Sequence, residues 1–238
     1  LNGIAKLNET LEFPIGFCTT SGSMVWRWWY SMLNMIEGDF LKDGEICPGT
    51  KCEEVTQMMI DMVENGYVPA DTDYQSAKAM FASGASAIHI NGVWEVPTFV
   101  DLQRNNELGF KFGVSDMPNI GSRMSTWADS HAFAVPHSDS KPISDEKLEA
   151  VLKVIAWMSD NSLFWATAGH IPANTNIVNS VFYKNMSPNA TYASIGDNMV
   201  TEPFSPITGV AGPTYDAFTN YMVPAINGQL SAEEAVQM

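Results

Sequence analysis

The chain has 238 residues, 45% hydrophobic and 16% charged. That is room for one large domain or two small ones around a sizeable core, and too apolar a composition for a disordered chain. With 27 acidic against 12 basic residues the formal net charge is −15, which argues against nucleic acid and anionic lipid, both of which are held by clustered Lys and Arg.

No run approaches the roughly 18 consecutive apolar residues of a membrane-spanning helix. The opening, LNGIAKLNET, has no initiator Met and no basic-then-apolar leader, and reads as a start in mid-protein. The first clear element is SGSMVWRWWYSMLNMI (21–36). Its apolar positions 25, 29, 32, 33 and 36 have helical spacing, with Ser and Gly at the entry. CPGTKC (47–52) places two cysteines about a Pro-Gly turn. They are either a small disulfide, suited to an oxidising compartment, or two free thiols. No cysteine has a His at metal-ligand spacing and the four His are scattered, so neither a metal site nor a cofactor is expected.

TKCEEVTQMMIDMVENG (50–66) predicts a helix with Thr50 and Glu53 as a capping box, a stripe of Val55, Met58, Met59, Met62 and Val63, and Gly66 at its end. DTDY (71–74) alternates acids like a calcium loop but lacks the following Gly and the distal Glu, and reads as a turn and cap. A short helix follows over 76–84. AIHI (87–90) and FKFGVSDMP (110–118) read as strands, with a helix over VPTFVDLQR between them. HAFAVP (131–136) reads as a further strand. SDEKLEAVLKVIAWMSD (144–160) predicts a strong amphipathic helix capped by Ser144, and SLFWATAG (162–169) a short one ending at Gly169. PTYDAFTNYMVPAIN (213–227) predicts a helix with Pro at its first position and a bend at Pro224. SAEE (231–234) opens a last helix with a capping box.

Strands alternating with helices predict an α/β architecture. In open sheets of that kind ligands bind beyond the carboxyl ends of strands. Trp94 stands there, two residues after the Asn91-Gly92 turn that ends AIHI. Such a residue is either core under a loop or a flat surface on which a ligand stacks.

ADTDYQSAKAMFASGASAIHINGVW (70–94) resembles the extracellular solute-binding proteins of sugar ABC importers, the maltose-binding-protein-like family: an acidic turn, a helix ending F-x-x-G, a strand, then I-N-G-x-W. FGVSDMP, SHAFAVPHSDSK, AGHIPAN (168–174) and NGQLSAEEAV (227–236) extend the likeness over nearly the whole chain. The resemblance implies an α/β fold of the class II periplasmic-binding-protein type, two lobes joined by a hinge with sugar between them. Residues 1–127 and 184–238 then correspond to the second lobe and 128–183 to a crossover returning to the first. Most of the first lobe is absent and the last helix is cut short.

A pyranose offers an apolar CH face and a rim of hydroxyls, so its site combines aromatic rings with a few polar groups. By the resemblance, Trp94, Trp26 and Tyr215 match the family's stacking aromatics. Helical spacing does not choose between Trp26 and Trp28; only the resemblance favours Trp26. Trp28, Trp29, Trp157 and Trp165 are expected in the core. TWADSH (126–131) groups Trp127, Asp129, Ser130 and His131 where the chain crosses between lobes, as a rim of the cleft or simply a polar loop. His170 could reach the cleft or be an ordinary loop histidine. Glu95 could accept a sugar hydroxyl or face solvent at a helix start. The implied function is a non-catalytic binding component that delivers a mono- or oligosaccharide to permease subunits. It would be monomeric and extracytoplasmic, in the periplasm or on a lipid anchor. A hydrolase using two carboxylates, Asp129 and Glu95 being the pair to nominate, and a sugar-sensing ectodomain are the alternatives.

Overall fold

The computed structural model describes residues 2–238. In chain order the elements are helix α1 (Asn2–Asn8), strand β1 (Ile15–Gly16), α2 (Gly22–Met35), the strands β2 (Leu41–Lys42) and β3 (Glu45–Ile46), α3 (Lys51–Glu64), α4 (Tyr74–Ala82), β4 (Ile88–His89), a 3-10 turn (Val93–Glu95), α5 (Val96–Arg104) and β5 (Thr126–Trp127). Then come α6 (Asp145–Asp160), α7 (Leu163–Ala166), α8 (Thr175–Val178), α9 (Val181–Lys184), a 3-10 stretch (Asn189–Asp197), β6 (Met199–Val200), α10 (Pro213–Ala217), a π-wound turn (Phe218–Met222), α11 (Val223–Ile226) and α12 (Ala232–Gln237).

α2 is the centre of the core. Its apolar residues go almost all the way round, as in a helix covered on several sides. Trp26, Val25 and Leu33 are 0% exposed, and Trp29 and Met32 1%. α3 covers one side through Val55 and Met59, and the helical run 213–226 covers another through Phe218 and Met222. Close approach is made possible by Gly22, where a Cβ would stand 2.5 Å from Thr219 N and 2.8 Å from Tyr215 O. Trp29 is core as expected, its Nε1 donating to Thr56 Oγ1 at 2.9 Å, and Trp28 packs edge-on against Phe17 at 4.5 Å.

The sheet is reduced to three short pairs. β1 and β4 are parallel (Ile15 with Ile88, Gly16 with His89), β2 and β3 form a hairpin, and β5 and β6 are parallel (Thr126 with Met199, Trp127 with Val200). The strand expected over 110–118 is not one. Phe110 and Phe112 do turn to one side and pack against Phe81 and Phe99, but no neighbouring strand among the described residues supplies a ladder. The strand expected over 131–136 also fails; that segment is mostly exposed and unpaired among the described residues.

Several helix starts follow local chemistry. Asp73 caps α4 by accepting from Ser76 N at 2.8 Å, Ser144 caps α6, and Ser231 with Glu234 makes a full capping box on α12. At α3 the expected box does not form: Thr50 is itself in helical conformation and makes no capping bond. The disulfide Cys47–Cys52 fixes this helix start instead, with Lys51 Nζ donating to Ile36 O and Glu37 O at 2.7 and 2.8 Å. Pro224 produces a widened turn rather than a simple bend. Its ring crowds the carbonyl four residues back and it has no N–H to donate, and the turn before it is π-wound.

The main core draws on residues 15–90 and 215–235, and no residue of 131–183 joins it. α6 is amphipathic as predicted, yet none of its residues is buried. Trp157 and Trp165, expected in the core, are 65% and 50% exposed, because no described element covers the apolar faces of α6 and α7.

Candidate functional site

The site begins where β4 ends. Asn91 Oδ1 accepts from Gly92 N at 2.7 Å and turns the chain, and the 3-10 turn that follows carries Trp94. The indole folds back over Gly92 so closely that a Cβ there would lie 2.1 Å from ring carbons. Trp94 keeps 37% of its surface exposed, so it is a partly open ring and not core filling.

Its edge is pinned. Trp94 Nε1 donates to the Tyr74 hydroxyl at 2.9 Å, and that hydroxyl donates to Glu95 Oε1. Burial, followed by this bond to Glu95, pushes the Tyr74 phenol up to about 12. Glu95 is 8% exposed and stands 3.7 Å from Lys78 Nζ, while its Oε2 has no partner among the described residues. Glu95 is therefore not the solvent-facing residue that a helix start would suggest. It is a buried anchor of the Trp94 ring.

Two more aromatics arrive from distant parts of the chain. Trp127 lies on β5, its backbone N–H donating to Ser31 Oγ at 2.8 Å and its indole N–H to Glu202 Oε1 at 3.0 Å. Tyr215 lies in the first turn of α10, 7% exposed, with a hydroxyl that finds no partner among the described residues; burial raises its pKa. All three rings meet at one side chain. The Arg27 guanidinium lies 4.8 Å from the Trp127 ring centroid, 5.4 Å from that of Trp94 and 5.8 Å from that of Tyr215.

Trp26 is not among them. It is 0% exposed, with the rings of Phe40, Tyr30 and Phe218 within 4.9 Å and its indole N–H donating to Glu202 Oε1 at 2.6 Å. A side chain enclosed on both faces offers no platform. One helical step of about 100° turns Trp26 into the core and Arg27 toward the rings. Glu202 joins the two layers. Its two oxygens accept from Trp26, from Trp127 and, at 2.6 Å, from Gly209 N.

Asp129 and His131 are exposed. Asp129 accepts from Ser130 N at 2.8 Å. His131 belongs to a second group, its ring 5.4 Å from His170 and 6.0 Å from Trp165, with Trp165 stacked on His170 at 5.2 Å. Burial, then the neighbouring His131 imidazole, lowers the His170 pKa. This group sits beside the Trp94 turn, because a Cβ on Gly169 would lie 1.9 Å from Val93 O. Among the described residues no group of three or more His, Cys, Asp or Glu could hold a metal ion.

Arg27, Glu202 and Tyr74 are the residues that sequence reasoning missed. The signal for Arg27 was available: in VWRWWY it is a lone cation on an otherwise apolar helix. Glu202 and Tyr74 act through contacts 176 and 20 residues apart in sequence, which no local pattern shows.

Residues 10–191 match the family model of the bacterial extracellular solute-binding proteins. No curated protein matches the chain. Among solved structures, the maltose/maltodextrin-binding domain MalE from Bdellovibrio bacteriovorus bound to maltotriose is 18% identical, with a TM-score of 0.73 over 95% of this chain and 57% of its own. The cyclic α-maltosyl-1,6-maltose binding protein from Arthrobacter globiformis is 17% identical, with a TM-score of 0.73 over 99% and 59%, and maltose-bound T. maritima MalE3 is 19% identical, with 0.71 over 99% and 60%. The fold is thus that of the periplasmic-binding-protein type, and the chain spans 57–60% of the length of these structures. With its family match extending over well more than half of its residues, the chain belongs to the bacterial extracellular solute-binding proteins.

Proposed function

We propose that the protein is the binding component of a carbohydrate ABC importer and captures a mono- or oligosaccharide on the ring cluster of Trp94, Trp127 and Tyr215, without transforming it. The observation that carries this reading is the convergence of three aromatics from three separate segments on one point, with hydrogen-bonding groups around them. Aromatic faces match the CH face of a sugar, and a polar fringe matches its hydroxyls. Asp129, His131 and Glu95 were the polar candidates. Asp129 and His131 are exposed at the rim, while Glu95 acts through Tyr74 on the ring of Trp94.

In this reading residues 1–127 and 184–238 form one lobe and 128–183 return toward another. The absence of 131–183 from the main core supports that division, as do the uncovered apolar faces of α6 and α7. Capture on one lobe would precede hinge closure and delivery to permease subunits outside the cytoplasm.

The test is titration of intrinsic tryptophan fluorescence with a panel of neutral and charged mono- and oligosaccharides, with chromatography of the same samples. A saturable shift with the sugar recovered intact supports the reading. Shortened sugars would replace it with a hydrolase, and no response to any sugar would remove it.

A further inference from the structure

Arg27 is an anomaly for a chain of this composition. Acidic residues outnumber basic ones 27 to 12, so a partly buried cation should readily find a carboxylate. Among the described residues none comes within ion-pair distance of it. Two acids beside the rings are engaged elsewhere, and a third, the exposed Asp129, accepts from Ser130 N and forms no ion pair with Arg27. Glu202 is filled by two indole N–H groups and one backbone N–H, and Glu95 is held by Tyr74 and Lys78. From Nη1 Arg27 donates to Met24 Sδ at 3.3 Å, the Tyr215 hydroxyl is a close neighbour of its guanidinium, and its Nε is buried without an acceptor among the described residues.

What holds the guanidinium in place is therefore aromatic. Three ring centroids lie within 5.8 Å of its central carbon. Ring faces stabilise the charge without consuming N–H donors, so the planar fork is positioned but has no carboxylate partner among the described residues. A guanidinium has five N–H donors in a geometry that matches a carboxylate through two parallel bonds. A hydroxyl rim can accept from the fork too, but it brings no opposite charge.

Resting on the carbohydrate reading above, we infer that the ligand is a sugar bearing a carboxylate, a uronic acid or an oligosaccharide ending in one, and that Arg27 binds that carboxylate while Trp94 and Trp127 take the ring. Ligand entry turns the fork away from the rings and onto the acid group, so the sugar and the guanidinium share the aromatic faces in turn.

The test compares matched pairs by calorimetry and tryptophan fluorescence: glucuronate against glucose, galacturonate against galactose, and their disaccharides. The acid of at least one pair should bind about tenfold or more tightly than its neutral partner, the scale of one charge-assisted hydrogen bond, and its binding should weaken as salt rises. Arg27→Gln should abolish the preference, and Arg27→Lys should restore only part of it, since it returns the charge but not the fork. Unchanged circular dichroism of both variants separates recognition from folding. Equal or tighter binding of neutral sugars, or a preference that survives Arg27→Gln, overturns the inference and leaves the carbohydrate reading standing. Failure of every sugar to bind overturns both.

Discussion

Replacing Glu202 by Gln probes the polar seam beneath the rings. Glu202 Oε1 accepts from the indoles of Trp26 and Trp127 at 2.6 and 3.0 Å, and Oε2 accepts from Gly209 N at 2.6 Å. Trp26 is 0% exposed, so water cannot make up for an acceptor weakened there. The carboxamide keeps one oxygen for the indoles but turns an NH2 group toward the backbone N–H of Gly209, donor against donor. Hydrogen bonds to a charged group contribute about 1.5–3 kcal/mol each and neutral ones about half as much. One bond is lost and two are weakened, but all three share a single half-buried side chain and are coupled. The expected loss of unfolding free energy is therefore about 2–4 kcal/mol, not the full sum. Urea unfolding followed by circular dichroism measures it, and the indole N–H resonances of Trp26 and Trp127 should both move. A loss under about 0.5 kcal/mol with both resonances unmoved would refute the reasoning, because surface substitutions fall in that range.

Other predictions rest on separate contacts. Tyr74→Phe removes the acceptor of Trp94 and the donor to Glu95, and should lower stability by about 1–3 kcal/mol while loosening Trp94, seen as lower fluorescence anisotropy. The folded phenol of Tyr74 titrates at about 12 against 10.0 for an unperturbed tyrosine, so the neutral form belongs to the fold. Its contribution should be fully present below pH 10 and lost as pH rises toward 12, read as a shrinking difference between wild type and Tyr74→Phe. Reducing Cys47–Cys52, five residues apart, should cost about 2 kcal/mol by the loop-entropy relation, measured as the difference in urea unfolding with and without dithiothreitol. Gly22→Ala should destabilise by about 3 kcal/mol or more and displace Tyr215, since the new methyl meets backbone of the 213–222 run; an unchanged melting curve would show that the two helices can separate freely.

How much of this was legible in the sequence depends on the range of the forces involved. Helices α2, α3, α5, α6 and α12 were readable because periodicity and caps are local, down to the Ser231–Glu234 box. Of the strands only AIHI was readable, as β4 (Ile88–His89), because a strand exists only if a partner lies beside it. Residues 110–118 have the alternation but no partner among those described, whereas β1, β5 and β6 are two-residue pairings that no pattern announces. Burial of Trp157 and Trp165 was misjudged for a related reason: amphipathicity shows which face seeks cover, not whether a described element provides it. At the site, Trp94, Trp127 and Tyr215 were singled out, and the structure brings them to one guanidinium. Trp26 was misplaced by one helical step, and that step is why Arg27 was overlooked.

The most direct test of the account is where a sugar touches the protein. In a spectrum of indole N–H resonances, each tryptophan reports separately, and saccharide can be added stepwise. Saturable shifts confined to Trp94 and Trp127, lost in Trp94→Ala, with Trp28 and Trp29 unmoved, are the predicted result. Shifts confined instead to Trp157 and Trp165 would contradict the placement of the site, and a spectrum unmoved by any sugar would contradict carbohydrate capture itself.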